Sequence, residues 1–384
     1  MMVLAGVTGT GASQQKVALA KPSAETEENF TRIGAIRELP NGKVLVVDAQ
    51  DRVVQLVDFA SGSVTKVGRE GSGPGEYSLP GALLALPDGS TLLMDLLNRR
   101  LLVLDREGKP GAFVELPRPP AQGGGGGPMI VMGGMDSRGT DSKGSIYMQG
   151  AALPRPGETA PDSAPIMKWD RVSPKFDTVG YVRVIPPVMS GGGGRFEVRM
   201  GANKVFTPTE TWTVTTEGRI ARVTPKPYRV IWMDGPGKYT LGAVQPYTPI
   251  KVTEAEKKLY LEARRRAPGM MISMGPSGRT VSQANPAQLP EPEFEETMPP
   301  FVATPGMGVA GAVLASPEGE VWVLRTRPAS DKVPSYDVFD RSGALVKRVT
   351  LNPNSRPVGF GKGAVYVARS DEDDLQYLQR YARP

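Results

Sequence analysis

The chain has 384 residues and contains neither histidine nor cysteine, which excludes imidazole-based triads, Cys/His dyads and zinc sites built on either ligand. With 39% hydrophobic and 22% charged residues it has the make-up of a folded domain, while 46 glycines and 37 prolines favour short strands and turns over long helices. The net charge of +6 is scattered along the chain, so it permits contact with anionic surfaces without arguing for nucleic acid.

Residues 1–13, MMVLAGVTGTGAS, read either as a secretory-signal remnant or as a flexible N-terminus. An apolar run meets small residues there, yet the basic start of a signal peptide is missing. Gly6, Gly9 and Gly11 imitate a dinucleotide-binding loop. That chemistry needs a helix next, and a short strand-like run broken by Pro22 follows instead. No apolar stretch is long enough for a transmembrane segment.

Two segments then align without gaps, LPNGKVLVVDAQDRVVQLVDFASG from Leu39 and LPDGSTLLMDLLNRRLLVLDREG from Leu86. In each, an Asn-Gly or Asp-Gly turn opens an apolar strand, a second turn follows, and a second strand ends on aspartate. Gly42 and Asp58 are 16 residues apart, as are Gly89 and Asp105, and Gly218 and Asp234 further on. Units with insertions or altered endings start at Gly144, Gly319 and Gly363, which makes six.

One such unit cannot bury both of its faces, so the six must stack, and a closed ring of four-stranded sheets is the β-propeller solution. The predicted fold is therefore all-β: a six-bladed β-propeller with Gly/Pro-rich loop insertions and one short inserted helix, a single domain over residues 14–384. A β-sandwich is the competing arrangement, but it has no reason to repeat a 16-residue interval. Residues 14–21 are expected to close the ring by pairing with the last unit, LQYLQRYAR, whose edge would otherwise be open.

Between the first and second units lies GREGSGPGEY, residues 68–77. A phosphate loop would need lysine where Pro74 stands and a helix afterwards, so the stretch reads as an inter-blade linker. Its Arg69, Glu70, Glu76 and Tyr77 are candidate partner-binding residues. Later insertions carry apolar, glycine-flanked runs that either cover the propeller's own faces or dock a partner. Met129, Ile130 and Met132 belong to one such run, and Phe301 to another. The helical and Pro-rich insertion spans about residues 244–311. In it TEAEKKLYLEARRRAPG spells a helix, with a capping box at Thr253 and Glu256 and with Arg264, Arg265 and Arg266 complementing the C-terminal dipole.

The second unit has the frame Asp95-x-x-Asn98-x-Arg100-Leu101, then Val103-Leu104-Asp105-x-x-Gly108. It resembles the repeat of NHL-type and related bacterial six-bladed propellers, and GxGPGEY with Leu79 and Pro80 resembles their linker. The first unit departs at Asp51 and Val53, and the later ones keep only the strand–turn skeleton, so the resemblance covers about residues 30–110. It implies a fold more than an activity.

Propellers of this kind include lactonase-like hydrolases that hold a divalent metal in the channel with Glu, Asn and Asp. Of seven asparagines here, Asn98 stands in the strand–turn frame, where the repeat accounts for it, and Asp371 to Asp374 are expected to form a solvated turn. The expected function is a non-enzymatic binding or scaffold protein, periplasmic or extracellular. It would engage protein partners, for example as an extrinsic subunit of a membrane or envelope complex, with no cofactor and no nucleic acid. A metal-dependent lactonase-like hydrolase is the alternative.

Overall fold

A computed structural model describes residues 15–116, 129–131, 137–153, 161–173, 176–186, 188–192, 195–199, 204–235, 237–266, 270–275, 278–283, 291–302 and 309–384. Six sheets follow one another along the chain, each a four-stranded antiparallel meander or its equivalent. Blade 1 consists of Ile33–Glu38, Val44–Asp48, Val53–Asp58 and Ser63–Lys66. Blades 2 to 5 occupy residues 80–115, 137–183, 211–241 and 313–350, and blade 6 takes three strands from residues 355–382 and a fourth from the N-terminal region.

The core is divided among the blade interfaces. Six apolar clusters of described residues each join two neighbouring blades, and together they go once around the ring. Val44 and Val46 pack towards Ala364, Tyr366 and Ala368 of blade 6, whereas Leu45 and Val47 pack towards Leu93 and Leu102 of blade 2. Both faces of a blade are thus covered, which is why second strands such as VLVVD and TLLMD are buried at every residue and show no polar alternation. Trp212, Trp232 and Trp322 are each fully buried in these interfaces.

The turn chemistry follows the repeat. The glycine between first and second strands has positive φ in all six blades, from 62° at Gly363 to 88° at Gly89. At Gly218 a Cβ would also come within 2.8 Å of the Tyr147 hydroxyl, so that position is closed on two grounds. Asp105 stops its strand by accepting from the backbone N–H of Glu107 at 3.0 Å and of Lys109 at 2.7 Å, and Asp340 does the same for Ser342 and Ala344.

The Asp-x-x-Asn-x-Arg frame of blade 2 has a local purpose. Asp95 is sealed from solvent; it accepts from the Ser78 and Leu79 N–H groups of the incoming linker, from Asn98 Nδ2 at 2.7 Å and from Arg100 Nε at 3.3 Å. Arg100 in turn donates to the Ser72 and Glu76 carbonyls and lies over the Phe113 ring. The frame therefore staples a linker to its blade.

Ring closure differs from expectation. Gln15–Ala18 does not pair with the last unit; it runs parallel to Leu345–Thr350 as a fifth strand on blade 5. The fourth strand of blade 6 is Ala24–Glu25, antiparallel to Gln376–Ala382. It is extended by a Ser23 N–H bond to the Arg380 carbonyl and by a Thr26 N–H bond to the Leu378 carbonyl. The longer, more apolar run looked like the better strand, but the outer edge of a blade faces solvent and asks only for backbone pairing. Two residues with polar neighbours suffice.

Candidate functional site

Antiparallel strands alternate in direction, so connections after first and third strands emerge on one face of the ring and those after second and fourth strands on the other. Among the described residues the first face has only tight turns. All the long connections, residues 67–79, 116–136, 150–162, 184–210, 242–312 and 325–334, leave and rejoin the blades on the second face. This loop-bearing face is the candidate site.

A helix and the segments tied to it form a cap over blades 5 and 6. Helix α1 (Glu254–Arg266) forms where the capping box predicts. The Thr253 N–H donates to Glu256 Oε2 at 2.9 Å, and the Ala255 N–H donates to Thr253 Oγ1. Glu256 Oε1 reaches beyond the helix to accept from the Ala329 N–H of blade 5 at 2.9 Å. At the other end Arg266 pairs with Asp374 in a turn of blade 6 at 3.3 Å.

The 184–210 connection is tied into the same cap. Phe206, Tyr260 and Phe294 form an aromatic trio with centroids 5.7 to 5.9 Å apart, and Thr207 Oγ1 donates to Glu295 at 2.8 Å. A cavity of about 720 Å³ opens between the helix and residues 291–296, with Lys204, Lys257 and Arg265 facing Glu262, Glu293 and Glu296.

Glu256 predicts its own pH signature. The Ala329 N–H, and then the Thr253 hydroxyl, favour the charged form and pull the carboxyl from its usual 4.5 down to about 2. A depressed folded pKa stabilises above the unfolded value, so this contribution is complete above about pH 4.5 and fades as pH falls towards 2. Glu256→Gln should cost about 1–2 kcal/mol at pH 7. The gap from the parent protein should close below pH 3 in denaturant titrations repeated across pH.

A second anchor lies beneath the cap. Asp337, sealed from solvent in blade 5, accepts from Arg325 Nη1 at 2.7 Å, Arg348 Nε at 2.8 Å and the Tyr228 hydroxyl of blade 4 at 3.0 Å. Burial, and then the Asp337 charge, push the Tyr228 phenol well above its ordinary value, so it remains a donor. On the opposite face a smaller cavity of about 240 Å³ between blades 3 and 4 contains Asp141, Tyr147 and Lys168. Burial alone would raise the Asp141 carboxyl, but Lys168 at 2.9 Å and the Ser145 N–H outweigh it and hold it below the usual range. Asp141 is thus spent on a turn and an ion pair.

The residues expected to bind a partner are placed as follows. Arg69 and Glu70 are exposed, and Arg69 pairs with Glu76 at 2.7 Å. The Gly73 N–H, and then Arg69, hold the Glu76 carboxyl below its ordinary value. Tyr77 is a correction: it is 2% exposed, donates to the Val67 carbonyl and accepts from the Val54 N–H, so it fastens the linker to blade 1 and no partner reaches it. Phe301 is another correction, at 1% exposure, packed beside Tyr228 between blades 4 and 5. Met129 and Ile130 lie in a strand paired with Ala151–Leu153 on the loop-bearing face. Met132 lies outside the described residues, as do residues 1–14.

Asp371 accepts from the Asp373 and Leu375 N–H groups, which makes the acidic run a turn, as expected. The Asp337 anchor is not among the residues expected from the sequence, although an acid inside the buried run YDVF is a visible signal of it.

No protein family matches the sequence, and no curated protein resembles it. Among solved structures the chain is similar to the calcium-binding protein regucalcin from Agrobacterium tumefaciens, with 14% identity, 96% and 97% of the two chains covered and a TM-score of 0.42. It is also similar to a member of the DUF4221 family from Bacteroides vulgatus, with 7% identity, 95% and 98% coverage and a TM-score of 0.49. Against virginiamycin B lyase from Staphylococcus aureus the values are 12%, 94% and 99%, and 0.38. The protein is a six-bladed β-propeller on the evidence of its own strand order.

Proposed function

We propose that this chain is a non-enzymatic propeller of the NHL-like kind that binds a protein partner through its loop-bearing face. It would serve as a scaffold or as an extrinsic subunit of a membrane or envelope complex, in the periplasm or outside the cell. The observation that carries this reading is the one-sided distribution of long connections, all on one face and partly knitted into a cap. A ring that only had to be stable would have no reason to sort its extra length in this way. Among the described residues no helix is long and apolar enough to cross a membrane.

The test is face-selective capture from membranes after mild cross-linking. Lys258→Glu with Leu259→Ser on the exposed side of α1 should abolish a stoichiometric partner, whereas Glu107→Lys with Lys109→Glu on the tight-turn face should leave it. Equal capture by both variants would sink the proposal. The alternative of a metal-dependent hydrolase calls for carboxylates converging in the channel, and among the described residues no three acids do so. Calorimetric titration with calcium and manganese separates the two readings.

A further inference from the structure

On the tight-turn face, the cavity between blades 3 and 4 interrupts the pattern of the repeat. The residue three places before the first turn glycine makes the same two backbone bonds in blades 1, 2 and 3, so Leu39, Leu86 and Asp141 are equivalent. Strand register equates two further positions. Leu45 faces Leu56 in blade 1, Leu92 faces Val103 in blade 2, and Tyr147 faces Lys168 in blade 3. An apolar trio in two blades is therefore aspartate, tyrosine and lysine in the third. Blade 6 also sets a tyrosine opposite a basic residue, Tyr366 and Arg380, but that hydroxyl donates to Glu38 of blade 1.

In blade 1 the apolar trio fills its space. A Cβ placed on Gly108, in the turn that follows the third strand of blade 2, would meet Leu39 and Leu45 at 3.3 Å and Leu56 at 3.6 Å. Gly237 stands after Asp234 of blade 4 as Gly108 stands after Asp105. Among the described residues nothing comes within 4 Å of a Cβ built there, or of one built on Gly235. The polar trio thus faces open space, the cavity of about 240 Å³. That is room for about eight waters at about 30 Å³ each.

The trio is fixed in place and still has bonds to give. Asp141, 7% exposed, accepts at Oδ2 from the Tyr147 hydroxyl at 3.1 Å and from Lys168 Nζ at 2.9 Å. Burial alone would lower the Lys168 ammonium, but Asp141 and Tyr147 outweigh it and raise it, so the group remains a charged donor. Of its three N–H groups at least one is left for the cavity, and the Tyr147 oxygen has lone pairs to accept with. The other acids of the wall are paired, Glu217 with Arg341 and Asp234 with Arg219. An anion would meet three carboxylates against Lys143 and Lys168, and a cation would find each carboxylate already taken. Val179, Ile220 and Met233 supply the apolar part of the wall.

We propose that this cavity binds a small neutral polyol or monosaccharide, with Lys168 donating to a ligand oxygen and the Tyr147 oxygen accepting from a ligand hydroxyl. Hydroxyl groups both donate and accept, which suits a wall that offers both without net charge to spare. The C–H face of such a ligand would rest on Val179, Ile220 and Met233. Asp141 acts as a positioning residue that orients the other two. The site lies on the face away from the proposed protein partner and does not depend on that reading.

The test uses the purified full chain, titrated separately with glucose, myo-inositol and glycerol and read by ligand-observed saturation-transfer NMR. Unlike a thermal shift, that signal does not respond to the general exclusion of polyols from protein surfaces. Saturable binding of at least one probe is expected, and inorganic phosphate should not displace it. Tyr147→Phe, which removes only the hydroxyl, should weaken binding about fivefold. Asp141→Leu, Tyr147→Leu and Lys168→Leu together restore the blade 1 trio and should abolish binding with the urea midpoint unchanged or raised. If that triple variant does not fold, Tyr147→Phe decides. Lys109→Gln, on the same face at blade 2, should leave binding unchanged. No saturable signal from any probe, undiminished binding in Tyr147→Phe, or binding retained by the folded triple variant overturns the proposal.

Discussion

Asp337→Ala should destabilise the protein by about 3–5 kcal/mol, the loss expected when one member of a buried ion network is removed. Arg325 and Arg348 would keep their charges, each 23% exposed or less, and the Tyr228 hydroxyl would lose its acceptor inside the interface of blades 4 and 5. Asp337→Asn should fall short of this, because the amide oxygen can still accept from one arginine but offers no charge. Replacing Asp337, Arg325 and Arg348 together by Leu, Met and Met should recover most of the stability, since an apolar replacement leaves no orphaned charge. Urea unfolding of the four proteins checks the series. If Asp337→Ala lost less than about 1 kcal/mol, the network would have no more weight than a surface pair.

The repeat was legible because its turns are local chemistry. A glycine with positive φ must stand between first and second strands whatever else the blade contacts, so Gly42, Gly89 and Gly218 mark three blades in the bare sequence. Asp95 likewise acts on residues at most 17 positions away. What was not legible depends on distant neighbours. Tyr77 and Phe301 sit in glycine- or proline-rich stretches that read as surface, and only the proximity of Val54, Val67 and Tyr228 makes them core. The junction of blades 6 and 1 is further out of reach, because Arg356 and the Ile33 carbonyl to which it donates lie at opposite ends of the chain and meet only once the ring closes. Sorting of the long connections onto one face was readable in principle from strand parity, yet it needs every strand boundary to be right at once.

Ring closure supplies the other large effect, and it discriminates between two segments. Removing residues 1–21 deletes the parallel strand Gln15–Ala18 but leaves blade 6 with four strands, so the loss should stay within about 1–2 kcal/mol. Removing residues 1–26 takes away the Ser23 and Thr26 backbone bonds to Arg380 and Leu378, the bond from the Leu378 N–H to Thr26 Oγ1, and the contacts of Glu25 with Arg369 and Gln379. At about 1 kcal/mol for each of these five the second truncation should lose about 5 kcal/mol. It should also expose the edge of Gln376–Ala382, a template for association with other chains. Chemical denaturation gives the two losses, and light scattering should detect aggregation only in the shorter protein. A synthetic peptide spanning residues 20–28 should restore the shorter protein by adding the missing strand in trans. If the first truncation already produced the full loss, Gln15–Ala18 rather than Ala24–Glu25 would be the element that holds the ring shut.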